Sequence, residues 1–257
     1  MNKSIIIYLV CSMVLSYPYA LLAQGRIFRP SKQQTEQTVV PKQESSQKVS
    51  GSKESLSQKF HWDEYGICQD QIVDLGLSVK WAGWNVGSSA PEQPGQIFGW
   101  GDPSGEETVA DESKYPTKNP PKSICGDPRY DMATVNWGKP WRLPTQKEFN
   151  ELKEQCTWIP FQYKGSKGAK VTGLNGNTMF IPISKMRKII SNDLKTFFWG
   201  DETNYYSGDI SSFSQSVGTG SAYYLRISLE LKDFVLIYLY ETSRRFEAYP
   251  VRAVYAQ

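Results

Sequence analysis

Residues 223–240 read Tyr-Tyr-Leu-Arg-Ile-Ser-Leu-Glu-Leu-Lys-Asp-Phe-Val-Leu-Ile-Tyr-Leu-Tyr. Leu225, Ile227, Leu229 and Leu231 alternate with Tyr224, Arg226, Ser228 and Glu230, so a strand here turns one face to a core and the other to water. Phe234 to Tyr240 is apolar on both faces, the pattern of a central strand. Lys232-Asp233 joins the two runs and predicts an antiparallel pair. Val251-Arg252-Ala253-Val254-Tyr255 is expected to be the third partner of this sheet.

Outward from that pair, Ala169-Lys170-Val171-Thr172 and Thr178-Met179-Phe180-Ile181 bracket Leu174-Asn175-Gly176-Asn177. Asn-Gly tolerates the positive φ angles of a tight turn, so this stretch is a hairpin. Val73-Asp74-Leu75 and Ser78 to Ala82 flank Gly76 as two short strands. The best helix signal is Pro144-Thr145-Gln146-Lys147-Glu148-Phe149: Thr145 and Glu148 form a capping box. Phe149, Leu152 and Cys156 then fall on one face, predicting a helix over about 146–156. Tyr130 to Asn136 reads as a shorter helical turn ending before Gly138. The stretch from Gly99 to Tyr130, rich in Pro and Gly, has no usable period and reads as a long loop. The fold class is therefore α+β, with short antiparallel strands, one or two helices and abundant loops.

The 257 residues carry 29 Lys/Arg against 26 Asp/Glu. Residues 1–23 hold one Lys, and 24–60 hold seven Lys/Arg and three Asp/Glu, which leaves 21 basic and 23 acidic residues after position 60. The remainder is at net −2, so the basic excess belongs to the N-terminal segments and no basic face for nucleic acid is indicated. Residues 1–23, with Lys3 before an apolar run and Ala23 at its end, read as a secretory signal peptide, so the mature chain is not expected to span a membrane. Residues 24–60 are mostly Gln, Ser, Lys, Glu, Val and Pro and read as a polar tether. All eight Trp residues lie between 62 and 199, so a single-cored domain is expected over 61–257. Export places the mature chain at the cell surface, in the periplasm or outside the cell. Cys68, Cys125 and Cys156 then allow one disulfide and three pairings.

Most catalytic arrangements find no support. His61 is the only histidine and sits at the tether boundary with no evident partner, which disfavours His-based nucleophilic catalysis and multi-His metal sites. No phosphate-binding glycine loop is present. No cofactor is expected. Asp201, Glu202, Asn204 and Asp209 offer hard oxygen ligands of the kind Ca2+ takes, but their spacing is not diagnostic and no metal site is assigned. Tyr205, Tyr206, Tyr223 and Tyr224 flank a variable loop over 200–222, where amphipathic rings suit recognition. With the four oxygen-bearing residues they form the candidate ligand-binding set. As loop residues, Tyr205 and Tyr206 are expected to tolerate truncation to Ala.

Seven runs of residues point to a family. Val73-Asp-Leu-Gly-Leu-Ser-Val-Lys-Trp-Ala82, Asn85-Val-Gly87, Phe98-Gly-Trp-Gly101, Tyr130-Asp-Met-Ala-Thr-Val-Asn-Trp-Gly138, Trp141-Arg-Leu-Pro-Thr-Gln-Lys-Glu-Phe149, Val171-Thr-Gly-Leu-Asn-Gly-Asn177 and Val251-Arg-Ala-Val254 resemble, in order, the Fibrobacter succinogenes major paralogous domain family. The resemblance covers about residues 70–256. It implies an exported protein of the Bacteroidetes type, with a C-type-lectin-like fold whose chain ends meet. It places Trp81, Trp100, Trp137 and Trp141 in the core. Trp84 stands where the family commonly has Cys, and the resemblance then favours Cys125–Cys156 as the disulfide. The triplets that hold calcium in sugar-binding lectins are missing, as is the late Cys pair of the fold-related formylglycine-generating enzyme.

The function expected is a non-catalytic, secreted or surface-displayed recognition module that binds a glycan or protein through the 192–222 loops. The alternative is a structural or assembly component of a bacterial surface complex, and a glycoside hydrolase ranks third. The fold reading carries its own test. Leu152→Asp or Ile237→Asp places an unpaired charge in the expected core, costing several kcal/mol, about enough to unfold the domain; circular dichroism and thermal melts read the outcome.

Overall fold

The computed structural model describes residues 26–28, 60–105, 121–190, 193–198, 200–211, 221–229, 234–242 and 245–256. In chain order the strands are β1 (Arg26–Phe28), β2 (Ile72–Val73), β3 (Lys80–Ala82) and β4 (Ile97–Gly99). Helix α1 (Met132–Trp137), β5 (Trp141–Arg142) and helix α2 (Gln146–Gln155) follow. Next come β6 (Thr157–Tyr163), β7 (Ser166–Thr172), β8 (Thr178–Pro182), β9 (Met186–Ile190) and β10 (Asp193–Phe197). The last are β11 (Glu202–Ile210), β12 (Ala222–Ser228), β13 (Val235–Thr242), β14 (Ala248–Pro250) and β15 (Val254–Tyr255). They form four sheets, ordered β1-β13-β12-β11, β10-β9-β14-β4, β2-β3-β15-β5 and β6-β7-β8, and every strand pairing is antiparallel.

The local signals shaped the elements they predicted. Thr145 accepts the Glu148 amide at 3.2 Å while Glu148 accepts the Thr145 amide at 2.8 Å, closing the capping box of α2. Arg142 binds the same carboxylate through both terminal nitrogens, at 2.6 and 2.9 Å. The Asp209 carboxylate takes the Gln146 amide at 2.8 Å, so a third orphan donor of the first turn is satisfied. Helix α1 is capped by Asp131, which accepts from Ala133 and Thr134 and also from Gly126 and Leu143. The β7–β8 hairpin closes at Thr172↔Thr178, with Gly176 at φ 83° in its turn.

The expected β12–β13 pair forms, with Leu225↔Leu239 and Ile227↔Ile237 in its ladder, and β13 is central. Its other neighbour is not the C-terminal run. Val254 and Tyr255 instead pair with Trp81 and Lys80 of β3 and with Arg142 and Trp141 of β5, so β15 belongs to a different sheet. The partner of β13 is β1, with Arg26↔Ile237, Ile27↔Leu236 and Phe28↔Val235. The tether reading of 24–60 is thus amended at 26–28, while 29–59 lies outside the described residues.

The interior also departs from the single core expected. Two large apolar clusters share the β11–β12–β13 sheet. One collects Trp81, Phe149, Leu152, Trp158, Tyr205, Leu225, Ile227 and Ile237; the other collects Phe98, Trp100, Met132, Trp141, Met186, Tyr206 and Tyr249. Tyr205 of β11 faces the first cluster and its neighbour Tyr206 the second, as the twofold period of a strand requires. The face of β12 expected to be wet is accordingly half-covered, with Ser228 buried and Tyr224 and Arg226 partly so. Trp81 and Trp100 are fully buried, Trp141 nearly so, and Trp137 packs edge-on to Trp141.

Desolvation pushes the Glu148 carboxyl up, but its bonds to Arg142 and the Thr145 amide outweigh this and hold it below its ordinary 4.5. Because the folded value lies below the unfolded one, this stabilisation is complete above about pH 4.5 and is lost as pH falls through the lower folded value. Glu148→Ala removes the box and strands Arg142, and a loss of about 2–3 kcal/mol is expected at neutral pH, shrinking under acid conditions. Denaturant unfolding at several pH values measures both effects.

Candidate functional site

Strand β11, Glu-Thr-Asn-Tyr-Tyr-Ser-Gly-Asp-Ile, is polar enough to read as a loop, yet it lies between covers on both sides and is buried along most of its length. Its pairing fixes which side chains meet. Glu202↔Ser228, Asn204↔Arg226 and Tyr206↔Tyr224 lie across β11–β12, and Arg226↔Tyr238 and Tyr224↔Tyr240 continue across β12–β13. Glu202, Asn204, Tyr206, Arg226, Tyr224, Tyr238 and Tyr240 therefore share one face of the sheet.

On that face the rings form a connected row. Tyr238 and Tyr240 lie 5.5 Å apart, Tyr240 and Tyr224 5.9 Å, Tyr224 and Tyr249 5.5 Å, and Tyr249 and Tyr206 4.5 Å. The row passes from half-buried rings at Tyr238, Tyr240 and Tyr224 to fully buried ones at Tyr249 and Tyr206. It ends on Glu247, whose carboxylate accepts from Tyr249 at 2.7 Å and whose carbonyl accepts from Tyr206 at 3.0 Å. Burial pushes the Tyr224 phenol up to about 12 and raises Tyr240 and Tyr249, so all three remain neutral at physiological pH.

Beside the rings, the Glu202 carboxylate, 2% exposed, is held by Arg226 on one oxygen and by Lys188 at 3.3 Å on the other. Two atoms there stay unpartnered: the Asn204 side-chain oxygen, an acceptor, and Arg226 Nε, a donor. They belong to residues directly opposite each other in the ladder.

Four of the eight predicted contact residues, Glu202, Asn204, Tyr206 and Tyr224, are thus brought together, on a sheet face instead of a loop. The other four are not. Tyr205 points the opposite way, into the first core, where its hydroxyl donates to the Pro182 carbonyl at 3.0 Å and accepts from Asn85. Tyr206, although on the right face, is wholly covered. Neither is an accessible loop ring, because β11 is a strand with packing on each side. Tyr223 lies across from Glu241 on the face opposite Tyr224. Asp201 is at the surface, paired with Lys167 at 2.9 Å, and Asp209 is engaged with helix α2. The oxygen ligands offered for Ca2+ therefore point to different partners, and no group of three or more metal-ligating residues exists among those described. Residues 212–220 of the expected loop lie outside the described residues.

Sequence reading missed Arg226, Lys188, Tyr238, Tyr240, Glu247 and Tyr249. The first, third and fourth were within reach, since the alternation that placed Leu225 and Ile227 inside also places Tyr224, Arg226, Tyr238 and Tyr240 together.

The expected disulfide is also corrected. Cys68, Cys125 and Cys156 are all free thiols. Cys156 sits in the first cluster, whereas Cys125 packs in the second against Gly208, where an added Cβ would meet its sulfur at 2.4 Å. Burial raises the three thiols to about 11 at Cys68 and about 12 at Cys125 and Cys156, so none is an activated nucleophile. His61 has a partner after all: Nδ1 lies 2.9 Å from Asp70, at an exposed position.

Compared with known proteins, the chain matches no family model, and no curated protein or solved structure matches it significantly. Among the described residues no helix is long and apolar enough to cross a membrane. Tyr205→Ala empties a ring-sized space in the first core and takes the hydroxyl donor from the Pro182 carbonyl. It is expected to destabilise the domain by about 3–5 kcal/mol, read as a lowered melting temperature.

Proposed function

We propose that this chain is an exported, non-catalytic recognition module of C-type-lectin-like type, related to the Fibrobacter succinogenes major paralogous domain family, and that it binds a glycan on the tyrosine face. The observation that carries the reading is the row of half-buried rings at Tyr224, Tyr238 and Tyr240 beside the Glu202–Arg226–Lys188 network. Rings of this kind offer an apolar body to the C–H face of a sugar and a polar rim to its hydroxyls.

The chemistry argues against turnover. Glu202 is clamped between two cations and covered, so its carboxylate does not present itself to a scissile bond, which weakens the hydrolase alternative. Near His61, Cys68 and Asp70 lie in hydrogen-bond order, but the Cys68 proton is held by burial and the sulfur is covered.

A glycan array followed by calorimetry tests the proposal. A Tyr238→Ala/Tyr240→Ala double variant is expected to keep its melting temperature within a few degrees and to lose tenfold or more in affinity, about 1.4 kcal/mol. Failure of the wild-type protein to bind any glycan, or undiminished binding by the double variant, overturns it.

A further inference from the structure

The outer edge of β13 has an unusual occupant. Within the polar stretch 24–59, Arg26-Ile-Phe28 holds the only aromatic residue, and this triplet is the one the structure lays onto β13 as a strand. The ladder is short, spanning three residue pairs, against the eight residues of β13. Beyond Ile237 the same edge continues as Tyr238-Leu-Tyr-Glu241, for which no strand ladder on that side is formed among the described residues. It has no Pro and no Lys, the residues that usually blunt an exposed edge.

We propose that β13 is a strand-acceptor site and that its partner is the Arg26–Phe28 segment of a second copy of this chain, exchanged for the copy's own. The contact is the same ladder whichever copy supplies the strand. Residues 29–59 separate the donor from its own domain, a contour of roughly 100 Å at full extension, enough to reach a neighbouring molecule. A three-pair ladder is weak enough to open and re-form, so local concentration decides between the two arrangements. The crossover lies on the order of millimolar, the effective concentration of a tethered strand, which a dense surface array approaches. Each copy carries one donor and one acceptor, so exchange yields either a reciprocal dimer or an open chain of molecules. The proposal is independent of glycan binding, because the ladder uses backbone groups at the edge and the tyrosine site uses side chains on a face.

Cysteine pairs read the contact directly. Ile27 and Leu236 are opposite each other, so the full chain bearing Ile27→Cys/Leu236→Cys is expected to close within one molecule at micromolar concentration under mild oxidation. Chains bearing Ile27→Cys alone and Leu236→Cys alone are then mixed and oxidised from micromolar to millimolar concentration. Mass spectrometry of the cross-linked peptides is expected to show the 27–236 heterodimer rising with concentration, well above the half share that random pairing gives. The unsubstituted chain reports any contribution from Cys68, Cys125 and Cys156. Failure of the double variant to close removes the ladder itself. Closure of the double variant with only random heterodimer at millimolar concentration leaves the strand bound to its own domain and overturns exchange.

Discussion

The twofold period of the β11–β12–β13 sheet, set between two apolar clusters, is the constraint from which the rest follows. A sheet with one wet face would leave Glu202, Asn204 and Tyr206 in solvent. Here that face is roofed in part by β14 and its neighbours, so each polar group needs a partner inside the protein. Glu202 finds Arg226 and Lys188, and Tyr206 finds the Glu247 carbonyl. On the opposite face the Tyr205 hydroxyl meets Pro182 and Asn85, close to the buried Arg252, which donates to the Ala82 and Phe180 carbonyls. Because the roof stops short of Tyr238 and Tyr240, the row of rings begins partly open and ends sealed. A one-residue slip in register would send Arg226 and Tyr224 into the first core, so register and site are specified together.

What was legible in the sequence was local. The capping box of α2, the Asn-Gly turn of the β7–β8 hairpin and the alternation of β12 depend on a few neighbouring residues, and each appears where the residues placed it. The C-terminal run forms a strand as expected but meets Trp81 of β3, and so enters a different sheet from the one expected. Strand β11 was illegible because its composition describes solvent while its environment is protein: Thr203, Asn204 and Ser207 are buried without being apolar. Strand β1 was illegible for the converse reason. Three residues in a polar tract carry too little burial to announce a strand, and only the waiting edge of β13 makes them one.

The cysteines show the same limit. The expectation of export argues that thiols pair, but pairing needs Cα atoms within about 7 Å, a property of the fold and not of composition. The roofed sheet places Cys125 and Cys156 in separate clusters, and small neighbours such as Gly208 let Cys125 act as a packing group. With no bridge among the described residues, cohesion rests on the two apolar clusters and on the buried ion pairs that fix their register.

Placing the proposed recognition on a sheet face in place of a loop changes its energetics. Loop rings must be ordered when they bind, at about 0.5–1.5 kcal/mol for each immobilised side chain. Tyr224 already packs against both Tyr240 and Tyr249, and Arg226 is already oriented by Glu202, so most of that ordering is complete before any ligand arrives. A preformed face of this kind selects on shape and hydroxyl pattern, since its own charges are largely satisfied internally. In the two proposals, rigidity at the face and exchangeability at the edge arise from one strand: β13 would present its side chains to a ligand and its β1-facing edge to a neighbouring chain, and the two uses would not compete.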